Sequence, residues 1–385
     1  MSYETHIPPT LIIGAGTRKG VGELVMQLGS KSVLLVSDKY LESTGLVDEF
    51  SRLFKSYGVA LAIFTDIENE PEVRNVLDAL EIAKANSCDV IVSVGGGSSI
   101  DTAKAVSVLA INGGEMIDYM GVGKVPKAGL PHIAVPTTAG TGSEATRVTI
   151  ITDPVKNVKM MCLDNAFMPA AAVVDYELSI TMPKTLTSYV GIDALTHAIE
   201  AYVSQKANSV SDLYAKKAIE LIGGSIMTAY EIPTDIAARE AMMEGATFAG
   251  VAFSNASVCA VHGMSRPIGA HFHVAHGLSN AMLLPIVTEN SIEGSPGRYA
   301  EVAAIMGLQG SDDKSLTDAL VHRLHELNRL MKVPGPAAYG IDKELYLSAL
   351  SDMADAAIAS GSPGNNPKVF SKDEIISLYK MVYGC

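Results

Sequence analysis

The 385-residue chain has little charge, few cysteines and no long apolar run, and each shortage excludes a class of protein. Charged residues are 18% of the total against 48% hydrophobic, a balance that disordered chains do not show. The net charge of −13 leaves no basic surface for non-specific nucleic-acid binding, though it does not bear on one cation inside a pocket. Cys88, Cys162, Cys259 and Cys385 are scattered, without a Cys-x-x-Cys pair, so a disulfide framework is not expected and a reducing compartment is. No run approaches the ~20 apolar residues that span a bilayer. Met1 to Pro9 shows neither a basic nor an apolar leader, so a cytoplasmic location is expected.

What is present divides the chain in two. In the first half, short apolar runs alternate with helical patterns. Ser32–Ser37 and Asp89–Val94 read as buried strands and Val59–Phe64 is a further apolar run, with helices over 45–57 and 72–86. Further strands are expected at His132–Val135, Val148–Ile151 and Ala171–Val174. Continuous apolar strands separated by helices imply an α/β domain with a parallel, Rossmann-like sheet covered on both faces. After Met182-Pro183 strand-like runs become scarce. Helical patterns over 188–204, 210–227, 236–253, 315–331, 343–358 and 372–383 predict an all-α second domain. The expected domains are therefore 1–183 and 184–385.

The strand ending at Val94 runs into Gly95-Gly96-Gly97-Ser98-Ser-Ile-Asp101-Thr-Ala-Lys104. Three glycines let backbone N–H groups approach an anion, and the helix that follows offers free amides and its positive dipole end. A plain tight turn is the competing reading; the strand–loop–helix setting favours phosphate. A second run, Pro136-Thr137-Thr138-Ala-Gly-Thr141-Gly-Ser-Glu144, brings hydroxyls and amides suited to a ribose or phosphate, and by itself is also ordinary loop material. Asp38, after a strand, is placed to accept from a ribose 2′-hydroxyl and to repel a 2′-phosphate, which favours NAD over NADP, or else it starts a helix. Gly14-Ala-Gly16-Thr-Arg-Lys-Gly20 lacks the dinucleotide spacing and reads as a strand-to-helix turn.

In the second half, Asp193 and His197 share a helix face at i, i+4 in Gly191-Ile-Asp-Ala-Leu-Thr-His-Ala-Ile-Glu200. His262 and His276 bracket the stretch Val261–Gly277, which also holds Arg266, His271 and His273. An Asp-x-x-x-His pair or a lone interior histidine is commonplace. Three imidazoles and a carboxylate together suit divalent iron, zinc or nickel better than magnesium or calcium.

Taken together these segments resemble the iron-containing (group III) alcohol dehydrogenase family, within the dehydroquinate-synthase-like group. The resemblance spans essentially the whole chain and adds His276-Gly277 and Gly364-Asn-Asn-Pro367 to the motifs above. It implies a nucleotide-binding α/β domain, a helical metal-binding domain and an active site in the cleft between them. Its metal ligands fall on Asp193, His197, His262 and His276, with Fe(2+) preferred to Zn(2+) on family grounds. Its cofactor positions fall on Asp38, Gly95, Gly96, Gly97, Ser98, Thr137, Thr138, Lys159 and Leu178. Asp101 and Thr141, inside the two glycine runs, complete the NAD(H)-binding set, with NADP(H) less favoured. Lys159 has a plain alternative as a solvated strand lysine.

The implied activity is reversible hydride transfer between a small alcohol or aldehyde and the dinucleotide, with a homodimer as the expected assembly. His271 or His273 is a candidate proton relay. Many relatives carry a histidine where this chain has Arg266. Its planar fork suits an anionic substrate tail, and pairing with an acidic neighbour is the structural alternative. The competing classes are a non-redox lyase on the same scaffold and a metal- or nucleotide-binding regulator without turnover.

Overall fold

The computed structural model describes residues 2–67, 70–156 and 158–384. These form two compact units, His6–Ser179 and a second running from Ile180 onward, which also takes in the segment up to Thr5.

The first unit contains β1 (Thr10–Ile13), α1 (Val21–Gln27), β2 (Ser32–Val36), α2 (Lys39–Ser43), α3 (Leu46–Ser56), β3 (Ala60–Phe64) and α4 (Val73–Ala85). It continues with β4 (Val90–Gly95), α5 (Gly97–Asn112), β5 (Gly121–Val122), β6 (His132–Pro136), β7 (Val148–Asp153), β8 (Val158–Leu163) and β9 (Ala171–Val174). Six strands make one parallel sheet in the order β1-β9-β6-β4-β2-β3. Both faces are apolar because successive strand residues point to opposite sides. Leu34, Val36 and Ile91 pack with Val76 and Leu80 of α4 and Val106 of α5. Val33, Leu35, Val90 and Val92 pack with Val25 of α1 and Phe50 and Phe54 of α3.

Val148–Asp153 is a strand, as expected, but it lies outside the parallel sheet. It pairs antiparallel with β8 in a separate sheet, β5-β8-β7. The connection from Asp153 to Val158 is too short for the crossover that parallel pairing needs, so a hairpin is what this stretch can form.

Helix α5 is pinned to its surroundings by a buried lysine. The Lys104 ammonium donates to Ser143 Oγ at 2.9 Å, Thr146 Oγ1 at 2.9 Å and the Val148 carbonyl at 2.7 Å. Asp101, 4.0 Å from that ammonium, accepts from Ser143 Oγ at 2.6 Å and from the Ile150 amide at 2.9 Å. Burial pushes Lys104 down to about 8, against the opposing pull of Asp101 and Glu144.

The second unit is helical: α6 (Lys184–Val203), α7 (Ser209–Glu231), α8 (Ile236–Ala256), α9 (Ala260–Phe272), α10 (His276–Ser291), α11 (Pro296–Ile305), α12 (Asp313–Leu330), α13 (Pro336–Tyr339), α14 (Lys343–Ala359) and α15 (Lys372–Tyr383). Helix α6 is buried at every residue from Gly191 to Val203, as its mostly apolar circumference requires. Glycine permits the close packing around it: a Cβ on Gly191 would lie 3.1 Å from Met242 of α8, and one on Gly245 would lie 2.7 Å from Ile222 of α7. No described helix is long and apolar enough to cross a membrane.

The two units meet in sequence between Ser179 and Ile180. The fully buried Arg239 of α8 donates to the Met182 carbonyl at 3.4 Å and to Thr187 Oγ1 at 3.1 Å, which ties this strap to the helices. At the other end of the chain, the hydroxyls of Tyr3 and Ser209 are hydrogen-bonded.

Lys104→Met is expected to destabilise the protein, because it leaves Ser143, Thr146 and Asp101 without their donor or counter-charge. The folded pKa of Lys104 lies below its unfolded value of 10.5. The unfolded state therefore binds more protons between about 8 and 10.5, and wild-type stability gains on the variant as pH rises through that window. Urea denaturation at pH 7 and pH 10 checks this; a gap that stays constant or narrows contradicts it.

Candidate functional site

Helix α6 carries Asp193 and His197 one turn apart, α9 places His262 in its first turn, and α10 begins at His276. The structure brings the four together: one donor atom from each lies within 4.8 Å of all the others. Gly277 permits this approach, since a Cβ there would sit 2.7 Å from the Tyr189 carbonyl and 3.4 Å from Asp193 Cβ.

The rings are held from behind. His197 stacks on Phe253 at 4.3 Å between centroids and on His262, also at 4.3 Å. The Glu200 carboxylate, one turn beyond His197, accepts from His262 Nδ1 at 2.6 Å. It also accepts from the amides of Cys259 at 2.9 Å and Val261 at 2.6 Å. Glu200 thus takes up amides at the start of α9 and turns the other nitrogen of His262 toward Asp193, whose Oδ1 is 3.4 Å away. Asn280, one turn after His276, donates to Asp193 Oδ1 at 2.6 Å and lies 3.2 Å from His276 Nε2.

His197 Nδ1 and His262 Nε2 are buried without a hydrogen-bond partner among the described residues. Buried polar atoms are rarely left so, and two imidazole nitrogens beside a carboxylate fit a cation. Burial pushes His197 down to about 3, against the pull of Asp193, which keeps its ring neutral. Burial alone would raise Asp193; the fields of His197, His276 and His262 outweigh it and keep the carboxylate ionised. For His262 burial is outweighed by Glu200 and Asp193, which raise it, so a cation would compete there with a proton. Three nitrogens and a carboxylate oxygen match divalent iron or zinc. The Asp193 and His262 side chains are each 2% exposed and that of His276 is 41% exposed, so the cluster opens to solvent on the His276 side.

In the first unit the two glycine runs prove to be one surface. The Thr137 amide donates to the Gly95 carbonyl at 3.0 Å, and Thr138 and Thr141 pack over Gly96 and Gly97. A Cβ on Gly95 would sit 2.4 Å from Ser99 Oγ, and one on Gly97 would sit 2.9 Å from Thr141 Cγ2, so side chains there would spread the loop. Helix α5 starts after Gly96, which has no side chain to cap it, and Ser98 lies half-buried in its first turn. Asp38 follows β2 and starts α2, its Oδ1 accepting from the Leu41 amide at 2.9 Å; no described donor meets its second oxygen. Leu178 packs against the sheet's apolar core.

Other expectations meet occupied groups. Each oxygen of Asp101 accepts one hydrogen bond that holds α5 to its neighbours. The Lys159 ammonium is 2.6 Å from the Glu70 carboxylate, an ion pair at the surface. His271 and His273 are exposed at the C-terminal end of α9, and among the described residues neither ring bonds or stacks with the four-residue cluster. The structure gives them no relay contact, because the helix carries His271 away from His262 by about 13 Å of rise. Arg266 has no carboxylate within ion-pair distance among the described residues, which removes the acidic-partner reading; its Nη1 donates to Ser362 Oγ at 3.1 Å.

Two supporting residues escaped the sequence reading. Glu200 stands at i+3 from His197, and Asn280 at i+4 from His276. Both spacings put a polar group on the ligand face, a signal that was available for Glu200 in a helix otherwise so apolar.

Residues 8–176 match the family profile described as iron-containing alcohol dehydrogenase. Residues 187–383 match that of the Fe-containing alcohol dehydrogenase family, C-terminal. An NAD-dependent methanol dehydrogenase of Bacillus methanolicus is 37% identical over 97% of this chain and 98% of its own length. The crystal structure of a 1,3-propanediol oxidoreductase superposes with a TM-score of 0.96 at 32% identity, covering 99% of this chain and all of the other. A sulfoacetaldehyde reductase from Bifidobacterium kashiwanohense, solved in complex with NAD+, gives 0.89 at 28% identity over 100% of this chain and 99% of that one.

Replacing Glu200 by Gln is expected to weaken zinc or ferrous binding about 10- to 100-fold, since the carboxylate orients His262 and raises its basicity. Competition with a chromogenic chelator measures it; an affinity within twofold of wild type would remove Glu200 from the metal site.

Proposed function

This chain belongs to the iron-containing alcohol dehydrogenase family, and on that footing we propose that it is an NAD-dependent, ferrous enzyme interconverting a small alcohol and its aldehyde. The observation that carries the reading is the convergence of Asp193, His197, His262 and His276, two of them with buried nitrogens that lack a hydrogen-bond partner among the described residues. The donor set would also accept zinc, nickel, cobalt or manganese; the choice of iron rests on the family.

When bound, a divalent cation supplies Lewis acidity toward an alcohol or carbonyl oxygen, and a nicotinamide dinucleotide supplies the hydride acceptor or donor. The chain's own residues do the rest. Asp193, ionised, offsets the cation's charge. Phe253 and the α6 core keep water from the His197 side. The exposed side of His276 leaves a path by which substrate enters and a proton exchanges with solvent. Gly95, Gly96, Gly97 and the first amides of α5 would hold the pyrophosphate, with Thr137, Thr138 and Thr141 beside them. The free oxygen of Asp38 would take a ribose hydroxyl and repel a 2′-phosphate. Cys88, Cys162 and Cys259 are free thiols, which supports a reducing, cytoplasmic setting; Cys385 lies outside the described residues.

The names of relatives run from methanol to sulfoacetaldehyde, so membership leaves the substrate to this chain's own side chains. The test is NADH absorbance after anaerobic ferrous loading, with simple alcohols, diols, hydroxy acids and sulfonate or phosphonate aldehydes. Net change in NADH with at least one of them is expected. Substrate consumed with no net change would instead indicate a lyase, and no reaction across the panel would sink the reading.

The preference for NAD over NADP in kcat/KM is expected to fall at least about tenfold in Asp38→Gly, a change of some 1.4 kcal/mol. Glycine is a tolerated helix cap, so the fold should bear the change. A preference unaltered by the substitution would take Asp38 out of cofactor selection.

A further inference from the structure

Arg266 stands one turn after His262 on α9, at i, i+4, so the two side chains share a helix face with Cβ atoms about 6 Å apart. It is half-buried, and the one acceptor it meets among the described residues is the neutral Ser362 Oγ at 3.1 Å. Other arginines of the chain are satisfied differently. Arg18 binds the carboxylates of Glu49, Asp175 and Glu177, and the buried Arg239 reaches backbone carbonyls and a hydroxyl. Arg266 has neither arrangement.

Its charge is permanent, since no protein environment deprotonates a guanidinium at neutral pH. Burial works against that charge, and the opposing pull comes from Glu200, which is already engaged with His262 and two amides. Asp193 and Glu200 bring two negative charges to this region. A divalent cation in the cluster would cancel both, and the guanidinium would then be a surplus positive charge in a partly desolvated place. Such a charge calls for an anion. Its fork leaves most of its five donors free for one, in the geometry that suits the oxygens of a carboxylate, sulfonate or phosphonate.

We propose that Arg266 binds an oxyanion on the tail of the substrate, so that this enzyme selects short-chain alcohols and aldehydes bearing a negative group near the reacting carbon. The inference rests on the dehydrogenase reading above and names its substrate class. Ser362 steadies the fork. Its loop is held against α9 at Gly263, where a Cβ would lie 2.5 Å from Pro363.

The experiment compares metal-loaded wild type, Arg266→Gln and Arg266→Lys on 3-hydroxypropanoate, 2-hydroxyethanesulfonate and 2-hydroxyethylphosphonate against 1-propanol. At least one anion is expected to exceed 1-propanol in kcat/KM for wild type. That ratio should fall about 30-fold or more in Arg266→Gln, mainly through KM, with partial recovery in Arg266→Lys. Which anion leads identifies the tail.

Calorimetric titration with unreactive propanoate, ethanesulfonate and ethylphosphonate, in the presence of NAD, supplies a readout without turnover. At least one should bind wild type, and about 30-fold more weakly Arg266→Gln. Equal losses on charged and neutral substrates, or anion binding unchanged by the substitution, would overturn the proposal. So would a Ser362→Ala variant reproducing the whole effect, since Arg266 would then only tether the loop. If no alcohol is turned over at all, the dehydrogenase reading falls, and the titration still decides the role of Arg266.

Discussion

A carboxylate buried among helices must be met by donors, and in the second unit that requirement organises everything near the cluster. Glu200 sits on α6, a helix with no wet side along its second half. It finds the amides at the start of α9 and the Nδ1 of His262. The same contacts that satisfy its charge therefore set where α9 begins and which way a ligand ring faces. Asp193, one turn before His197, accepts from Asn280, and its Oδ1 faces imidazole nitrogens of His262 and His276 from two other helices at 3.4 and 3.9 Å. Removing Glu200 would leave two amides and an imidazole nitrogen facing one another in a dry interior, which is why this carboxylate sits on an apolar helix at all.

The first unit shows the complementary device, an absence of side chains. Gly95 and Gly97 are placed where any Cβ would press on Ser99 or Thr141. The consequence is a loop narrow enough for backbone amides to face a ligand. Lys104 and Asp101 lie behind it and take up the polar groups of the second glycine run, so the loop rests on a rigid, hydrogen-bonded base. In each unit, then, the candidate site's geometry is held by buried hydrogen-bonded neighbours.

Much of this was legible in the residues. Apolar runs between helical patterns announced the parallel sheet, and α15 falls on 372–383 as its periodicity predicts. Helices α9 and α10 were not delimited in advance, because Pro267, Pro285 and a dense set of glycines and histidines disguise their helical period. The strand β8 has no clear bounds in the sequence for a related reason: its place in a small mixed sheet depends on β7 and β5, not on a pattern of its own.

By itself the sequence determined the α/β-then-helical order, the glycine loop and the four donor side chains, since composition, spacing and recurring motifs are properties of a chain read end to end. Only the tertiary structure decided that Asp193, His197, His262 and His276 converge, that the two glycine runs form one surface, that Asp101 bonds Ser143 and Lys159 pairs with Glu70, and that Arg266 meets no acid among the described residues. Those facts depend on which side chains from distant segments share a few ångströms. Packing sets that, and no local pattern encodes it.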